Sequence, residues 1–326
     1  MAPSAHGFLF GFAFGPQGKR ELRSLQEAAA PPAPDELLRW LHLDGLSNET
    51  QAWLRQQQGL DAAALKAALT PRARPRMSHF GDQLLVVLRA ANLNEGEERE
   101  DLVSLRLLVR PRLLISLRRA RVRAAEAVAD EVRAGTSFQE PAELLAHLIH
   151  LVVLPLHEFI EEIGGRLDDF EVLVADPAQS PERADLFDLR RQLIALRKSL
   201  VPQREALERL YREPHPALGP HQRTLLREPA HRMARLVDEV EAARERAGVL
   251  MEEMGMQATE ELNRRIYLFT VIAGIFMPLT FLASLLGMNV AGIPMSGHPQ
   301  AFLAVCVLMA ALGLGIWQLL RRNRWL

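Results

Sequence analysis

The chain contains a single cysteine, Cys306, and only three lysines among its 39 basic residues. One cysteine excludes an intramolecular disulfide framework. The remaining basic residues are arginines, a residue type that suits phosphate contacts, but an arginine bias along the whole chain is typical of coding preference. Because 40 acidic residues offset the 39 basic ones, the near-neutral charge argues against a nucleic-acid-binding protein.

Motifs of the common enzyme classes are also absent. The sequence has no glycine-rich phosphate-binding loop, no cysteine pair and no serine nucleophile elbow. We therefore expect a protein that is not an enzyme and that carries no resident cofactor.

The most informative absence is that of charge near the end of the chain. No Asp, Glu, Lys or Arg occurs between Arg265 and Arg321. The first 265 residues hold 36 basic and 40 acidic side chains, a net charge of minus four, and the last six residues carry plus three. The average composition therefore hides two segments with different physical properties.

Two long apolar runs fill the uncharged segment. Residues 266–286 and 301–320 are each long enough, as helices, to cross a hydrocarbon core of about 30 Å. A buried helix of a soluble protein is the alternative, but two such runs joined by a short loop favour a transmembrane hairpin. We expect a multi-pass membrane protein that contacts lipids.

The charges that flank the hairpin predict its orientation. Arg264 and Arg265 precede the first run, three arginines follow the second, and the loop 287–300 has no Lys or Arg. The positive-inside rule then places both termini in the cytoplasm, with Trp317 and Trp325 as interfacial anchors. The first residues lack the basic start of a signal peptide.

The front of the chain changes its periodicity once. Phenylalanines at 8, 10, 12 and 14 alternate with other residues, which predicts a half-buried strand. Further strands are predicted over 40–44, 84–91, 102–109 and 112–117, and a helix over 48–58 with Asn48 at its start. From residue 119 we expect only helices, over 119–134, 141–174 and 181–212.

A last helix begins near Gln222 and has no clear break before Leu286. The predicted architecture is therefore an α/β cytoplasmic domain (1–221) and a long stalk helix (222–265), followed by two transmembrane helices (266–286 and 301–320), an external loop (287–300) and a basic tail (321–326).

The first apolar run has one polar face. Asn263, Thr270, Met277 and Ser284 recur every seven residues, which keeps them within about 60° of one another on a helix. These positions predict the lining of an ion pathway. Small and polar residues also mark plain helix–helix contacts in membranes, so that alternative stays open.

The segment 275–294, IFMPLTFLASLLGMNVAGIP, resembles the signature of the CorA family of divalent-cation transporters. The resemblance rests on MPLTF at 277–281, on Gly287-Met288-Asn289 at the end of the first run, and on the C-terminal hairpin. The continuation VAGIP at 290–294 is similar to the zinc-transporting ZntB branch, because it lacks the acidic residue that is more frequent in the magnesium branch.

The resemblance implies a funnel-shaped homopentamer in a bacterial inner membrane, whose first span lines a central pore. It implies pore-facing roles for Asn263, Met277, Thr280 and Asn289, with Gly287 allowing a turn after the helix and Met288 in packing. The transported ion is then Zn²⁺ or another divalent cation, with proton coupling as a possibility in that branch. The spans contain no carboxylate, so we expect the ion to cross hydrated.

Further candidate metal ligands lie outside the spans. His298 is the one histidine of the external loop, and His147, His150, His157 and Glu161 have helical spacing. Packed or surface histidines are the alternative for the last four. Two clusters of acids could draw cations in, or could be solvated faces balanced by arginine: Glu158, Glu161, Glu162, Asp168, Asp169 and Glu171; and Asp238, Glu239, Glu241, Glu252, Glu253, Glu260 and Glu261.

Two classes of function follow. The first is an oligomeric transporter of divalent cations, for zinc or alternatively for magnesium, cobalt or nickel. The second is a cytoplasmic scaffold or metal sensor that the hairpin merely anchors to the membrane. Flux distinguishes them, because an anchor tolerates apolar replacements at Thr270 and Thr280 and a pore does not.

Overall fold

A computed structural model describes residues 7–57, 59–71, 73–176, 183–288 and 299–322. The chain divides into two units, residues 1–251 and 252–326. The strands are β1 (Phe8–Gly15), β2 (Gly18–Leu22), β3 (Leu38–Asp44), β4 (Arg76–Phe80), β5 (Gln83–Ala90), β6 (Val103–Arg110) and β7 (Leu113–Arg118). The helices are α1 (Leu25–Ala29), α2 (Asn48–Gln56), α3 (Ala62–Leu69), α4 (Arg123–Ala134), α5 (Pro141–Ala175), α6 (Arg183–Arg212), α7 (Pro220–Leu225), α8 (Arg227–Leu286) and α9 (Ala301–Arg322).

The first unit is built on one seven-stranded sheet in the order β2-β1-β3-β7-β6-β5-β4. β3 and β7 pair in parallel, and the other neighbours pair antiparallel. The α/β architecture expected from the sequence is confirmed. β2 and β4 were not predicted, because they are short and largely polar and gain their structure from pairing with β1 and β5.

Both faces of the sheet are covered. Ala13, Leu43, Val87 and Leu117 pack in one apolar cluster with residues of α1, α2 and α3. On the opposite face Phe10 and Phe12 of β1 lie against Trp40, with ring centroids 5.2 and 5.8 Å from it. β1 is therefore buried on both sides, and its predicted half-burial is wrong because α1–α3 cover the face that a two-layer fold would expose.

Helices α1 and α3 were also missed by the sequence analysis, and α2 begins differently from the prediction. Its N-cap is Ser47, whose Oγ accepts a hydrogen bond from the Thr50 amide at 3.4 Å, and Asn48 is the first helical residue. A side-chain oxygen one residue before the helix reaches an unpaired amide of the first turn, so Ser47 satisfies the donor that Asn48 was expected to satisfy.

Three helices are long and apolar enough to cross a membrane: α5, the helical stretch Pro220–Leu286, and α9. Half of the most apolar stretch of α5 is buried inside the first unit, where α5 packs on α4 and on the sheet. None of the corresponding stretches in α8 and α9 is buried. α5 is therefore a core helix, and the two predicted spans fall in α8 and α9.

The long helix was predicted to run without a break from about Gln222. The structure has a turn at Leu226 between α7 and α8. From Arg227 the helix continues for 60 residues, about 90 Å at 1.5 Å per residue. Pro229 lies in its first turn, where a missing amide costs no intrahelical hydrogen bond.

Candidate functional site

Within the second unit, α8 and α9 each carry a stripe of residues that are less exposed than their neighbours. A β-carbon at Gly313 of α9 would lie 3.7 Å from Leu279 Cδ1 of α8, so the two stripes face each other. The stripe on α8 comprises Val271, Ile275, Pro278, Leu279, Leu282 and Leu286, and that on α9 comprises Ala301, Val305, Met309, Leu312, Gly313, Ile316 and Leu320. Small residues such as Gly313 allow this close approach.

The predicted pathway residues lie on the opposite side of α8. At 100° per residue, the centre of the set formed by Asn263, Thr270, Met277 and Ser284 is about 140° from the stripe that meets α9. All four are exposed, and Met277 is 72% exposed. Thr280 is exposed as well, about 60° from Met277 around the helix. The centre of this face therefore points away from α9, and only its first part, at Asn263 and Thr270, lines a cavity that Leu320 of α9 also borders.

A hydrogen bond on this face fixes the orientation of the Thr270 hydroxyl group. Thr270 Oγ1 donates to the carbonyl oxygen of Ile266 at 2.9 Å. Since the hydroxyl proton is used within the helix, the oxygen lone pairs remain as acceptors. Water molecules around a cation present their hydrogens outward, so this oxygen suits a hydrated ion.

The seven-residue pattern did not include Ile266, which also lies on this face. Ile266 precedes Met277 by eleven residues, or about three turns, which places it within about 20° of Met277 around the helix. It is 53% exposed. The eleven-residue spacing from Met277 is visible in the sequence, but it does not belong to the seven-residue repeat that defined the face.

The signature tripeptide begins where α8 ends. The Gly287 amide donates to the Ala283 carbonyl at 2.9 Å, and a β-carbon on Gly287 would lie 3.1 Å from that oxygen. A side chain at this position would crowd the last turn, so the close approach favours glycine. Met288 is exposed. Asn289 and His298 lie outside the described residues.

The candidate histidine ligands have separate partners. His147 Nε2 lies 2.5 Å from Glu131, and His150 Nδ1 accepts from Arg232 at 3.3 Å. Burial, and then the charge of Arg232, lower the pKa of His150. Among the residues that the structure describes, no group of three His, Cys, Asp or Glu side chains is placed to hold a metal ion.

The other two candidate ligands, His157 and Glu161, lie close together but do not enclose a metal site. Glu161 Oε1 is 3.4 Å from His157 Nε2, and Glu239 is 3.7 Å from the other ring nitrogen. The two carboxylates therefore flank opposite sides of the ring. A metal role for these four residues stays a prediction.

Several of the acids on α5 and α8 are paired with arginines. Arg246 bonds both Asp168 and Glu171, and Arg99 bonds Glu162 at 2.8 Å. These pairs are exposed, so each contributes little to stability. Within the described part of α8, Glu252, Glu253 and Glu260 form no ion pair, and they precede the apolar run. These three are the unpaired acids of α8 that lie nearest to the apolar run, and their charges remain free to attract cations.

Comparisons with known proteins agree on one family. The sequence model of one protein family, described as CorA-like Mg²⁺ transporter protein, matches residues 35–322 of this chain. The chain is 36% identical to the divalent cation transporter CmaX of Pseudomonas aeruginosa over 98% of this chain and 97% of that protein. It is 31% identical to the zinc transport protein ZntB of Pectobacterium carotovorum over 88% of both chains. A solved structure of full-length CmaX is similar over 100% of both chains, with 35% identity and a TM-score of 0.85.

Proposed function

The chain belongs to the family of CorA-like Mg²⁺ transporter proteins and is a transporter of divalent cations rather than an enzyme, and from this we propose that it moves Zn²⁺ through a pore formed by several copies. The observation that carries the proposal is the orientation of α8. The centre of its polar face, which runs from Asn263 to Ser284, is exposed and lies about 140° around the helix from the stripe that meets α9.

A single hairpin cannot enclose a water-filled path, so the pathway needs a closed ring of subunits. Family membership supports a homopentamer in which each α8 contributes this face to a central pore, with α9 outside it. The larger units then form a funnel. Glu252, Glu253 and Glu260 of each copy would gather cations at the entrance, because rings of acids raise the local concentration of positive ions.

The chemistry of the face suits a hydrated ion. Residues 266–320 contain no Asp or Glu, so nothing there replaces the water shell of a zinc ion with charged ligands. Amide and hydroxyl oxygens of Asn263, Thr270 and Asn289 would accept hydrogen bonds from that shell. Met277 and Ile266 would form apolar rings that close the path by dewetting.

Flanking charges support the orientation. Arg264 and Arg265 precede the first span, and Arg321 and Arg322 end the second, whereas the loop 287–300 lacks Lys and Arg. The Arg321 guanidinium lies 5.5 Å from the centre of the Trp317 ring, a pairing typical of a membrane interface. We place both termini in the cytoplasm and the hairpin in the inner membrane.

The identity of the metal rests on similarity to ZntB and on VAGIP at 290–294. The family model is named for Mg²⁺, so a channel for magnesium, cobalt or nickel is the second candidate. The pathway oxygens do not distinguish these ions, because each crosses inside its water shell.

Flux into liposomes tests the proposal. The purified full chain is reconstituted with a metal-sensitive dye, and zinc, nickel, cobalt and magnesium are supplied in turn under imposed voltages and pH gradients. We expect zinc flux that Asn289→Ala abolishes while the oligomer stays intact. Absence of flux for every metal would favour a membrane-anchored scaffold or sensor. Flux of magnesium without zinc would favour the second candidate.

His298 is tested in the same assay. As the only histidine between residues 266 and 320, it is the candidate in the hairpin for coupling flux to protons. A His298→Ala variant that keeps the full pH dependence of the wild type would exclude it.

A further inference from the structure

Four arginines cluster on the face of the sheet that α1–α3 cover, near β4. Arg76 and Arg106 both lie opposite Val87 of the strand between them. Arg89 is two residues beyond Val87, and Arg119 is two residues beyond Leu117, the residue opposite Arg106. Diagonal neighbours in a sheet lie about 7 to 8 Å apart, so this register gathers Arg76, Arg89, Arg106 and Arg119, here termed the arginine cluster.

The centre of the arginine cluster is buried. Arg106 is 1% exposed, and Arg76, Arg89 and Arg119 are half-buried. None of the four forms an ion pair with a carboxylate in the described parts of the chain. The neighbouring Arg118 and Arg121, by contrast, both pair with Glu126, at 3.1 and 2.7 Å.

Backbone carbonyls satisfy only part of this group. Arg106 Nη2 donates to the carbonyl oxygens of Thr70 and Pro71, at 3.0 and 3.2 Å. Arg89 and Arg76 donate to the carbonyls of Ala73 and Ala67, each at 3.3 Å. Arg89 also donates to the Leu102 carbonyl, at 3.0 Å. Three of the four arginines therefore donate to carbonyls of the segment that joins the end of α3 to β4. Carbonyl dipoles carry no net charge, so the positive charges stay uncompensated.

One hydrogen-bond donor of the buried Arg106 guanidinium has no acceptor in the described structure. Arg106 Nε is buried and has no hydrogen-bond partner. Burial, followed by repulsion from Arg119, Arg89 and Arg76, lowers the pKa of Arg106 to about 10. A buried charge without a counter-charge is costly, which indicates that a group of opposite charge belongs here.

We propose that the arginine cluster binds a phosphate-type oxyanion, either free phosphate or the phosphate groups of a nucleotide. A tetrahedral oxyanion offers several acceptors to planar guanidinium forks and suits arginine in particular. The half-buried Arg76, Arg89 and Arg119 give access from solvent. A cleft lined by Thr70 and Pro71, together with Arg55 and Lys66, borders the same segment and leaves room for a larger organic phosphate.

Binding to the purified full chain tests this site independently of ion flux, so its failure would leave the transport proposal intact. Thermal unfolding and calorimetric titration are run with orthophosphate, pyrophosphate and ATP against chloride at equal ionic strength. We expect the midpoint of thermal unfolding to be higher than in chloride. It should rise with all three phosphate compounds if the ligand is free phosphate, and with ATP alone if the ligand is a nucleotide. A preference for ATP of tenfold or more would identify a nucleotide, and equal affinities would identify free phosphate.

Variants assign the binding to these residues. Arg119→Gln removes a side chain that has no described partner, so it should keep the fold and weaken phosphate binding about tenfold or more. Arg106→Met should abolish the phosphate-specific stabilisation. Arg20→Gln, an exposed arginine on β2 at the opposite edge of the sheet, is the matched control and should bind as the wild type does. No phosphate-specific stabilisation of the wild type, or wild-type affinity in both Arg119→Gln and Arg106→Met, would overturn the proposal.

Discussion

The side-chain amide of Gln203 bonds both backbone groups of Arg89. Its Oε1 accepts from the Arg89 amide at 2.6 Å, and its Nε2 donates to the Arg89 carbonyl at 3.2 Å. β4 begins opposite Val87, so it does not reach Arg89. Gln203 of α6 therefore takes the place of a strand partner at this edge and ties the helix to the sheet.

We expect Gln203→Met to destabilise the first unit by about 2 to 4 kcal/mol, because it leaves the backbone amide and carbonyl of Arg89 without their partners. Gln203 is fully buried, so water cannot replace the lost bonds. Thermal unfolding of the purified chain measures the loss. Gln26→Met, at an exposed position, is the matched control and should unfold as the wild type does. An unchanged midpoint for Gln203→Met would contradict the role of the amide.

His42 predicts a dependence of stability on pH. Ser116 Oγ donates to the Leu41 carbonyl and accepts from Trp40 Nε1, so His42 Nδ1 must carry a proton to donate to it at 2.8 Å. The other nitrogen, Nε2, is buried without a partner. Burial, and then the charge of Arg118, lower the pKa of His42 from 6.5 to about 3.

Because the unfolded chain takes up a proton near pH 6.5 and the folded chain does not, the free energy of unfolding should fall as the pH drops from 6.5 towards 3. The slope is about 1.4 kcal/mol per pH unit. Between pH 7.5 and 5.0 the wild type should lose about 2 kcal/mol relative to His42→Gln. The exposed His221→Gln should follow the wild type. Parallel pH profiles for the wild type and His42→Gln would refute the assignment.

Cysteine labelling tests the orientation of α8. Cys306 is the only cysteine, so Cys306→Ser gives a cysteine-free background. In that background we expect a hydrophilic thiol reagent to block ion flux when it modifies Ser284→Cys on the exposed face. Leu282→Cys, on the stripe that meets α9, should keep its flux after the same treatment. Equal block at both positions would show that this face does not line the path.

The contact between α8 and α9 predicts a difference between two glycines. A β-carbon at Gly313 would lie 3.7 Å from Leu279, whereas Gly315 has nothing within 4 Å. Gly313→Ala should therefore be tolerated, and Gly313→Leu should push the helices apart and lower the thermal stability of the oligomer in detergent. Gly315→Leu serves as the size-matched control. Equal stability of the two leucine variants would argue against this packing.

The sequence alone determined the elements that a local pattern encodes. A gap in charge and two apolar runs located the hairpin, and the seven-residue spacing located one face of α8, because both properties depend on residues within a few helical turns. Alternating phenylalanines located β1 in the same way. The tripeptide that begins at Gly287 and the hairpin together pointed to the family.

Only the tertiary structure decided the features that depend on distant residues. α5 is long and apolar enough to cross a membrane, and its burial against the sheet shows that it is a core helix. β4 forms because β5 supplies its hydrogen bonds. The arginine cluster arises from strand register, which brings together Arg76 and Arg119 across 43 positions of sequence. Strand pairing and helix packing act between segments that are far apart in the chain. Because they leave no periodic pattern in the local sequence, these features could not be predicted from it.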